Sequence, residues 1–260
     1  MITSTSSSQV KHVVQLQKKS KTRKEFLEFV VEGNKMVAEA PKDRVVKVYV
    51  SENFNNMNLD YIRELNIEDK KIEIVSDSVF MQMSDTKTPQ GVMAVVKMAQ
   101  YEVNDILGEN ALIIAVENLQ DPGNLGTILR MGEGAGITGV IMSSNTVDIY
   151  NPKTIRSTMG SIYWVPFFYA KDFNEELEQL KENGVKIYAA HLDGKNTYTQ
   201  ESYKNATAFL IGNEGNGLTD SVTKKADTLI KIPMQGQVES LNAAIACTIL
   251  TYEAVRQRTV

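Results

Sequence analysis

The sequence predicts an α/β protein with a small αβ layer followed by a larger domain built around a mostly parallel sheet. In the second half, apolar and β-branched runs alternate with segments of helical spacing, which is typical of a parallel sheet covered by helices. The predicted strands are ALIIAV (111–116), GVIMS (139–143), VKIYAA (185–190), TAFLI (207–211) and TLIKI (228–232). The predicted helices lie near 124–135, 152–160, 172–183 and 240–257.

The first half carries a weaker pattern of short elements. Between residues 9 and 40, apolar side chains recur every three or four positions, which predicts two short helices interrupted around 20–22. Short β-branched runs at 45–50, 71–75 and 92–96 predict strands, with a helical pattern between the first two. These elements form the small αβ layer.

The same patterns divide the chain into four segments. Residues 1–8, which include the polar run TSTSSS, form a flexible leader because they have nothing to bury. Residues 9–98 form the first domain, and the change of character at 99–109 indicates a linker or short connecting element. Residues 110–260 form the larger α/β domain.

Composition limits the chemistry. A single cysteine, Cys247, excludes an intrachain disulfide framework and a cysteine-based zinc cluster, and His12 and His191 are too few and too scattered for a metal site. We therefore expect chemistry without a metal. No apolar stretch approaches the roughly 20 residues that cross a bilayer, and the first residues lack the apolar core of a signal peptide. We expect a cytoplasmic protein.

Positive charge is concentrated near the N-terminus, although the formal net charge of the chain is -4. The stretch KHVVQLQKKSKTRK (11–24) contains six Lys and Arg residues and no acidic residue. Composition alone leaves two interpretations of equal weight, a solvated helix face and a patch that contacts phosphates.

Three stretches follow predicted strands, where ligands bind in parallel α/β domains. They are NLQDPGNLGTILR (118–130), IGNEGNGL (211–218) and KIPMQGQVESLNAAIACTILTYEAVRQR (231–258). Each has an ordinary interpretation when taken alone, since glycines and Asp-Pro-Gly are common in turns and Ser240 would suit a helix N-cap.

Taken together and in this order, the three stretches resemble the motifs of the SpoU branch of the SPOUT methyltransferases, also called the TrmH family. The N-terminal stretches LQKKSKTRKEFLEFVVEGNKMV and SDTKTPQGVMAVVK resemble the substrate-binding domain that precedes the catalytic domain in many members. The resemblance implies a SPOUT domain with a deep trefoil knot, preceded by an L30e/L7Ae-like domain. Chains do not thread as a rule, so the knot is expected from the resemblance alone.

The resemblance also implies an activity, the 2'-O-methylation of an RNA ribose with S-adenosylmethionine as methyl donor. We expect 23S rRNA as substrate, because L30e-like domains read folded RNA shapes. Three alternatives stay open: a tRNA methyltransferase, a noncatalytic RNA-binding or ribosome-assembly protein on the same fold, and a nicotinamide-dependent oxidoreductase. The last is disfavoured because no dinucleotide fingerprint follows the first strand of the larger domain.

The family motifs map onto a set of polar candidates for the reaction, namely Arg130, Asn124, Glu214, Ser240 and Asn242. Arg130 matches the catalytic arginine. A guanidinium is a poor base at neutral pH, so a phosphate clamp that stabilises a developing oxyanion is the physically simpler role, while proton acceptance stays open. Asn124 would bond Arg130 or the ribose or cap a helix, and Glu214 would orient Arg130 or its own loop. Ser240 and Asn242 would lie near the target nucleotide or cap the last helix.

By the same resemblance, backbone groups and an apolar slot hold the cofactor at Leu210, Ile211, Gly212, Ile232, Met234 and Leu241. The candidates for RNA contact are basic, namely Lys18, Lys19, Lys21, Arg23, Lys24 and Arg156. The last helix carries Leu241, Ala244, Ile245, Thr248 and Tyr252 along one face. Such a face is usually intrachain core, but SPOUT proteins generally dimerise through this helix, and we expect a homodimer.

Overall fold

The computed structural model describes residues 1–259, which form two compact units. The first unit contains residues 1–99 and 148–163, and the second contains residues 100–147 and the chain from 164 onward. Within residues 1–259, no helix is both long enough and apolar enough to cross a membrane.

The first unit is a four-stranded sheet with short helices. Its elements are α1 (Ser8–Lys18), α2 (Ser20–Phe26), β1 (Glu28–Glu32), α3 (Asn34–Ala38), β2 (Val45–Ser51), α4 (Glu52–Met57), α5 (Leu59–Glu64), β3 (Ile72–Val75), α6 (Asp77–Met83) and β4 (Val92–Lys97). The strand order is β1-β4-β2-β3, in which β4 is antiparallel to both neighbours and β2 is parallel to β3. One core cluster joins α1, α6 and the sheet through Leu16, Phe80 and Met93.

The prediction for residues 9–40 is wrong in one segment. We expected helical spacing through Phe29 and Val30, but residues 28–32 form β1, with Phe29, Val30 and Val31 all buried against β4. The helix before it ends at Phe26, because the next residue, Leu27, has a left-handed φ of 52°. The three consecutive apolar residues then suit a strand buried on both faces. Two helices do occur before this point, divided at Lys19.

The second unit follows the predicted alternation. Its strands are β5 (Leu112–Val116), β6 (Gly139–Met142), β7 (Phe167–Tyr169), β8 (Lys186–Ala190), β9 (Asn196–Thr197), β10 (Thr207–Ile211) and β11 (Thr228–Lys231). Its helices are α7 (Pro122–Ala135), α9 (Phe173–Glu182), α10 (Asp220–Thr223) and α11 (Ala243–Thr259), while α8 (Pro152–Thr158) belongs to the first unit.

The larger sheet is parallel throughout, with strand order β7-β6-β5-β10-β8-β11-β9. All five predicted strands are present, which confirms the predicted α/β class. The two strands that the sequence did not reveal, β7 and β9, have three and two residues and lie at the sheet edges, where little apolar patterning is needed.

Two predicted boundaries differ from the structure. The last helix begins at Ala243, three residues later than expected, because Ser240 and Leu241 belong to an irregular segment that runs from residue 232. The segment 99–109, expected to connect the domains, contains Ile106, which is fully buried in the core of the second unit.

Candidate active site

Four parallel strands end at one edge of the larger sheet. The register pairs Val116 with Ile211, Leu210 with Ala189, and Ala190 with Ile230. The loops that follow β5, β10, β8 and β11 therefore emerge side by side. This edge is where parallel α/β domains bind ligands, and all three predicted motif stretches reach it.

The loop after β10 is folded tightly on itself. The backbones of Asn213 and Gly217 exchange two hydrogen bonds of 2.9 Å, and Gly217 has a φ of +67°. A Cβ on Gly212 would lie 2.3 Å from the Gly217 carbonyl carbon, so only glycine fits there. Gly212 and Gly217 are thus required by the turn, and the turn fixes the position of Glu214.

The Glu214 carboxylate binds the start of α7. Its two oxygens accept hydrogen bonds from the backbone N–H groups of Gln120 at 3.0 Å and Asp121 at 2.9 Å. Asp121 is the N-cap of α7 and accepts from the backbone N–H of Asn124, and Pro122 opens the helix. The positive end of a helix favours a carboxylate, which explains why an acidic residue suits this loop.

Asn124 and Asn242 extend this contact into a chain of amides. The Asn124 side chain donates to Glu214 at 3.0 Å, and its oxygen accepts from the Asn242 side chain at 2.8 Å. The Asn242 oxygen in turn accepts from the backbone N–H groups of Ala244 and Ile245, which begin α11. The structure therefore brings together one residue from each of the three motifs.

These bonds decide between the roles considered for the two asparagines. Asn124 does not cap α7, because Asp121 does, and its amide is engaged by Glu214 and Asn242. Asn242 does cap α11 and also contacts Asn124, so capping and site organisation coexist in one side chain.

The environment keeps Glu214 ionised. Partial burial by itself raises the pKa of the Glu214 carboxyl, but hydrogen bonds from the Asn124 amide and from the backbone of Gln120 and Asp121 outweigh it and lower the pKa below its usual value. The carboxylate is therefore ionised at neutral pH and accepts the hydrogen bonds that hold the loop to the start of α7.

Arg130 lies two turns along α7 with its side chain exposed. Within residues 1–259, no hydrogen bond or ion pair engages its guanidinium, so Glu214 orients its loop and Asn124 and does not orient Arg130. Ser240 is also exposed, in the irregular segment before α11. Both side chains are available to a bound substrate.

The residues predicted to hold the cofactor surround the same edge of the sheet. Leu210 and Ile211 are buried at the end of β10, whereas Ile232, Met234 and Leu241 are half-buried along the segment between β11 and α11. Half-buried apolar side chains next to exposed loop backbone fit an adenine ring, which needs a flat apolar slot and amides at its edge. The chemistry of these residues therefore suits S-adenosylmethionine.

A fourth loop, which the three motif stretches do not include, lies at this edge. His191 follows β8 and donates its backbone N–H to Ile230, and a Cβ on Gly194 would lie 2.6 Å from the Ile230 carbonyl carbon. The loop thus packs directly on β11, beside the proposed slot. Its signal in the sequence was the HLDGKN turn immediately after a predicted strand, the same position that marked the other three loops.

The basic stretch near the N-terminus is partly surface and partly core. Lys18, Lys19, Lys21 and Lys24 are exposed on α1 and α2 and the residue between them. Arg23 is only 4% exposed. The four lysines remain candidates for phosphate contact, and Arg23 does not belong to this surface.

The Arg23 guanidinium is fully engaged inside the first unit. Its Nε and Nη2 atoms donate to Asp148 at 3.1 and 2.6 Å, and Nη1 donates to the carbonyl oxygens of Leu16 and Gln17. Asp148 also accepts from the backbone of Tyr150. Arg23 therefore holds α2 and the segment that begins at Asp148, because a buried guanidinium must satisfy its donors within the protein.

Arg156 differs from Arg23 in its exposure. Its Nη1 donates to Asp85 at 2.7 Å, and the side chains are 42% and 40% exposed. An exposed pair of this kind contributes little to stability, so a phosphate is able to replace Asp85 as its partner.

The face of α11 considered for dimerisation divides into two parts. Ala244 is buried within the unit, and Thr248 is half-buried. Ile245 and Tyr252, two turns apart, are 54% and 46% exposed.

Across the described residues 1–259, no group of three histidine, cysteine or acidic side chains is placed to hold a metal ion.

The chain matches two protein families. The SpoU rRNA Methylase family matches residues 111–252, and the MRM3-like substrate binding domain matches residues 7–94.

Relatives and solved structures of this kind align over most of the chain. The 23S rRNA (guanosine(2553)-2'-O)-methyltransferase RlmP of Bacillus subtilis (strain 168) is 32% identical over 239 residues, which are 90% of this chain and 92% of the relative. The crystal structure of the SpoU methyltransferase AviRb from Streptomyces viridochromogenes in complex with the cofactor AdoMet has a TM-score of 0.86 and 26% identity, covering 97% of this chain and 98% of that one. By contrast, the A. aeolicus TrmH/SpoU tRNA modifying enzyme covers only 60% of this chain and 79% of its own, with 26% identity and a TM-score of 0.52.

Proposed function

The chain belongs to the SpoU rRNA methylase family, and on this premise we propose that it methylates a ribose 2'-hydroxyl of 23S rRNA. The observation that carries the proposal is the chain of hydrogen bonds from Glu214 through Asn124 to Asn242. It ties together the three family motifs at the ligand-binding edge of the parallel sheet.

The reaction forms a bond between the ribose O2' and a methyl carbon and breaks the bond between that carbon and sulfur, whose electron pair stays on the departing thioether. The hydroxyl proton passes to water. S-adenosylmethionine supplies a methyl group on a positively charged sulfur, so no covalent enzyme intermediate and no metal is needed. The residues that hold it in this proposal are the apolar and glycine positions named above, Leu210, Ile211, Gly212, Ile232, Met234 and Leu241. Orientation of the two reactants accounts for much of the rate enhancement.

Arg130 acts on the substrate in this proposal. Its exposed guanidinium has no protein partner within residues 1–259, and its planar donors match a phosphate in a bidentate pair. Placed there, it holds the phosphate next to the target ribose and stabilises negative charge on O2' as the proton leaves. Ser240 donates to the same nucleotide, while Glu214, Asn124 and Asn242 position the loops.

The alignment lengths favour ribosomal RNA over transfer RNA. The rRNA relative matches both units, and the N-terminal match is to a substrate binding domain. The solved tRNA enzyme covers little more than half of this chain. Lys18, Lys19, Lys21, Lys24 and Arg156 provide the phosphate contacts in the first unit, which we propose reads a folded element of the rRNA.

We further propose a cytoplasmic homodimer. Ile245 and Tyr252 present an exposed apolar strip on α11, beside the Asn242 cap that belongs to the catalytic cluster. Pairing of this strip with a second copy buries it and sets the two sites next to the interface.

The direct test is to map 2'-O-methyl groups in total RNA from cells with and without the gene. The proposal predicts that one ribose methylation in 23S rRNA disappears. Loss of a tRNA methylation instead would support the alternative substrate, and an unchanged map would contradict the enzymatic function.

A further inference from the structure

The first unit contains a groove of about 470 Å³ between α4 and α6 that none of the catalytic residues uses. Phe54 and Phe80 form its buried floor. Met57 and Met81 line it, and these two residues are 76% and 52% exposed. Two large apolar side chains exposed at one concave site indicate a binding surface.

The groove is held open by specific contacts. The backbone N–H of Asn53 on α4 donates to the Asp77 carboxylate on α6 at 3.2 Å, which ties the two helices together. At one end, Gly91 has a φ of +92°, and a Cβ there would lie 2.7 Å from the Phe54 Cβ. Glycine lets the chain pass close to the floor without filling the groove.

Within residues 1–259, the rim offers one free acceptor and one free donor group. The Asn58 amide donates to the Phe54 carbonyl at 3.0 Å, which leaves its oxygen to accept a hydrogen bond. The Gln90 oxygen accepts from the backbone N–H of Asn34 at 2.8 Å, which leaves its NH₂ group to donate. Both amides line the groove. This combination of apolar walls and a donor–acceptor rim matches a flat ring with a polar edge.

We propose that the groove binds an unpaired nucleobase of the RNA substrate. Thioether sulfur makes favourable contacts with aromatic rings, so Met57 and Met81 suit the faces of a base, and the two amides suit its edge. Lys35 lies beside Asn34 and Lys87 lies three residues before Gln90, both exposed, where they attract the phosphates that flank such a base. The inference rests on the proposed function, since it assigns a subsite for the same substrate.

The polar rim disfavours an apolar protein helix as the occupant. Such a helix would cover the free groups of Asn58 and Gln90 without pairing them, and each unpaired polar group costs about 1–3 kcal/mol. A nucleobase satisfies them.

The test compares the full-length variant Met57→Ala/Met81→Ala with Leu59→Ala. Leu59 is a suitable control because it is 50% exposed and lies two residues from Met57 outside the groove. With unmodified 23S rRNA transcript as substrate, the double variant should raise KM for RNA about tenfold, with kcat and cofactor affinity within about twofold of wild type. The control should leave all three unchanged. Ultraviolet cross-linking of wild type to the transcript should place nucleotides on peptides that contain residues 51–58 or 77–91.

Two results would overturn the inference, namely a double variant with the kinetics of Leu59→Ala or the absence of cross-links in those peptides. Loss of a co-purifying protein with unchanged RNA kinetics would also overturn it. If wild type failed to methylate any RNA, the proposed function would fall, and the cross-linking would still decide whether the groove contacts a base.

Discussion

Arg23 and Arg130 lie in two stretches that were both expected to meet RNA, yet their surroundings are opposite. Arg23, in the basic stretch of the first unit, is buried and donates four hydrogen bonds to protein oxygens. Arg130, on α7 of the second unit, is exposed with no partner within residues 1–259. A guanidinium whose donors are satisfied holds structure, whereas one whose donors are free is available to a phosphate.

The same contrast separates the residues of the catalytic cluster. Glu214, Asn124 and Asn242 are joined by hydrogen bonds and fix the loops, while the side chains of Arg130 and Ser240 are exposed. In the proposed function, the fixed side chains orient the loops and the exposed side chains contact the substrate.

The largest effect is expected for Arg130→Ala. It removes the group that stabilises charge on O2', so methyl incorporation into RNA should fall by at least about a hundredfold. Cofactor binding, measured by calorimetry, and thermal stability should be nearly unchanged because the side chain is exposed. Arg130→Lys keeps the charge without the bidentate geometry, so its rate of methyl incorporation should lie between those of wild type and Arg130→Ala. Unchanged turnover in the alanine variant would remove Arg130 from the mechanism.

Arg23→Ala, unlike Arg130→Ala, should lower the stability of the protein. It leaves Asp148 without its cation and two carbonyl oxygens without a donor, so the free energy of unfolding measured with urea should fall by about 3 kcal/mol. Lys24→Ala is the matched control, one residue away and exposed, and should change stability by less than about 0.5 kcal/mol. Equal stability of the two variants would show that Arg23 is not structural.

A smaller effect with a pH signature is expected for Glu214→Gln. The variant weakens the acceptor for the Asn124 side chain and for the backbone N–H groups at the start of α7. Turnover should therefore fall about tenfold. Because the pKa of Glu214 is lower in the folded than in the unfolded chain, its stabilisation is complete above the usual carboxyl value of 4.5 and is lost as the pH falls through the lowered pKa. Wild type should therefore be more stable than the variant at neutral pH, and the difference should vanish in acid. A constant difference would contradict the assigned role.

The smallest effect per residue is expected for the exposed lysines, each of which should contribute little to RNA affinity by itself. Each phosphate contact contributes roughly 0.7 to 0.9 to the slope of log affinity against log salt. Changing Lys18, Lys19, Lys21 and Lys24 together to Gln should therefore flatten the slope of log RNA affinity against log salt by up to roughly 3.6 units. A slope equal to that of wild type would place the RNA elsewhere on the first unit.

Much of this arrangement could be predicted from the sequence. The five central strands were predicted because buried parallel strands need continuous apolar runs, and the motif residues were placed at the correct ends of them. The strand at Phe29 to Val31 was missed because its apolar residues also continue the helical spacing before it. Helix α2 and strand β1 are separated by Leu27, whose left-handed backbone conformation cannot be predicted from the sequence.

The misassignment of Arg23 has a similar cause. Within a run of lysines an arginine looks like one more surface cation, and its partner Asp148 lies 125 residues away. Contacts at that separation are set by the tertiary fold. The hydrogen bonds among Glu214, Asn124 and Asn242 likewise could not be predicted from the sequence. The motifs predict that these residues lie near one another, but they do not predict which side chain bonds to which.

The most direct measurement is the appearance of a 2'-O-methyl nucleotide in unmodified 23S rRNA transcript after incubation with the purified protein and S-adenosylmethionine. Mass spectrometry of nuclease fragments should find one new 2'-O-methylated nucleotide with wild type and none with Arg130→Ala. A transcript that stays unmethylated with wild type, or that is methylated equally by Arg130→Ala, would contradict the account.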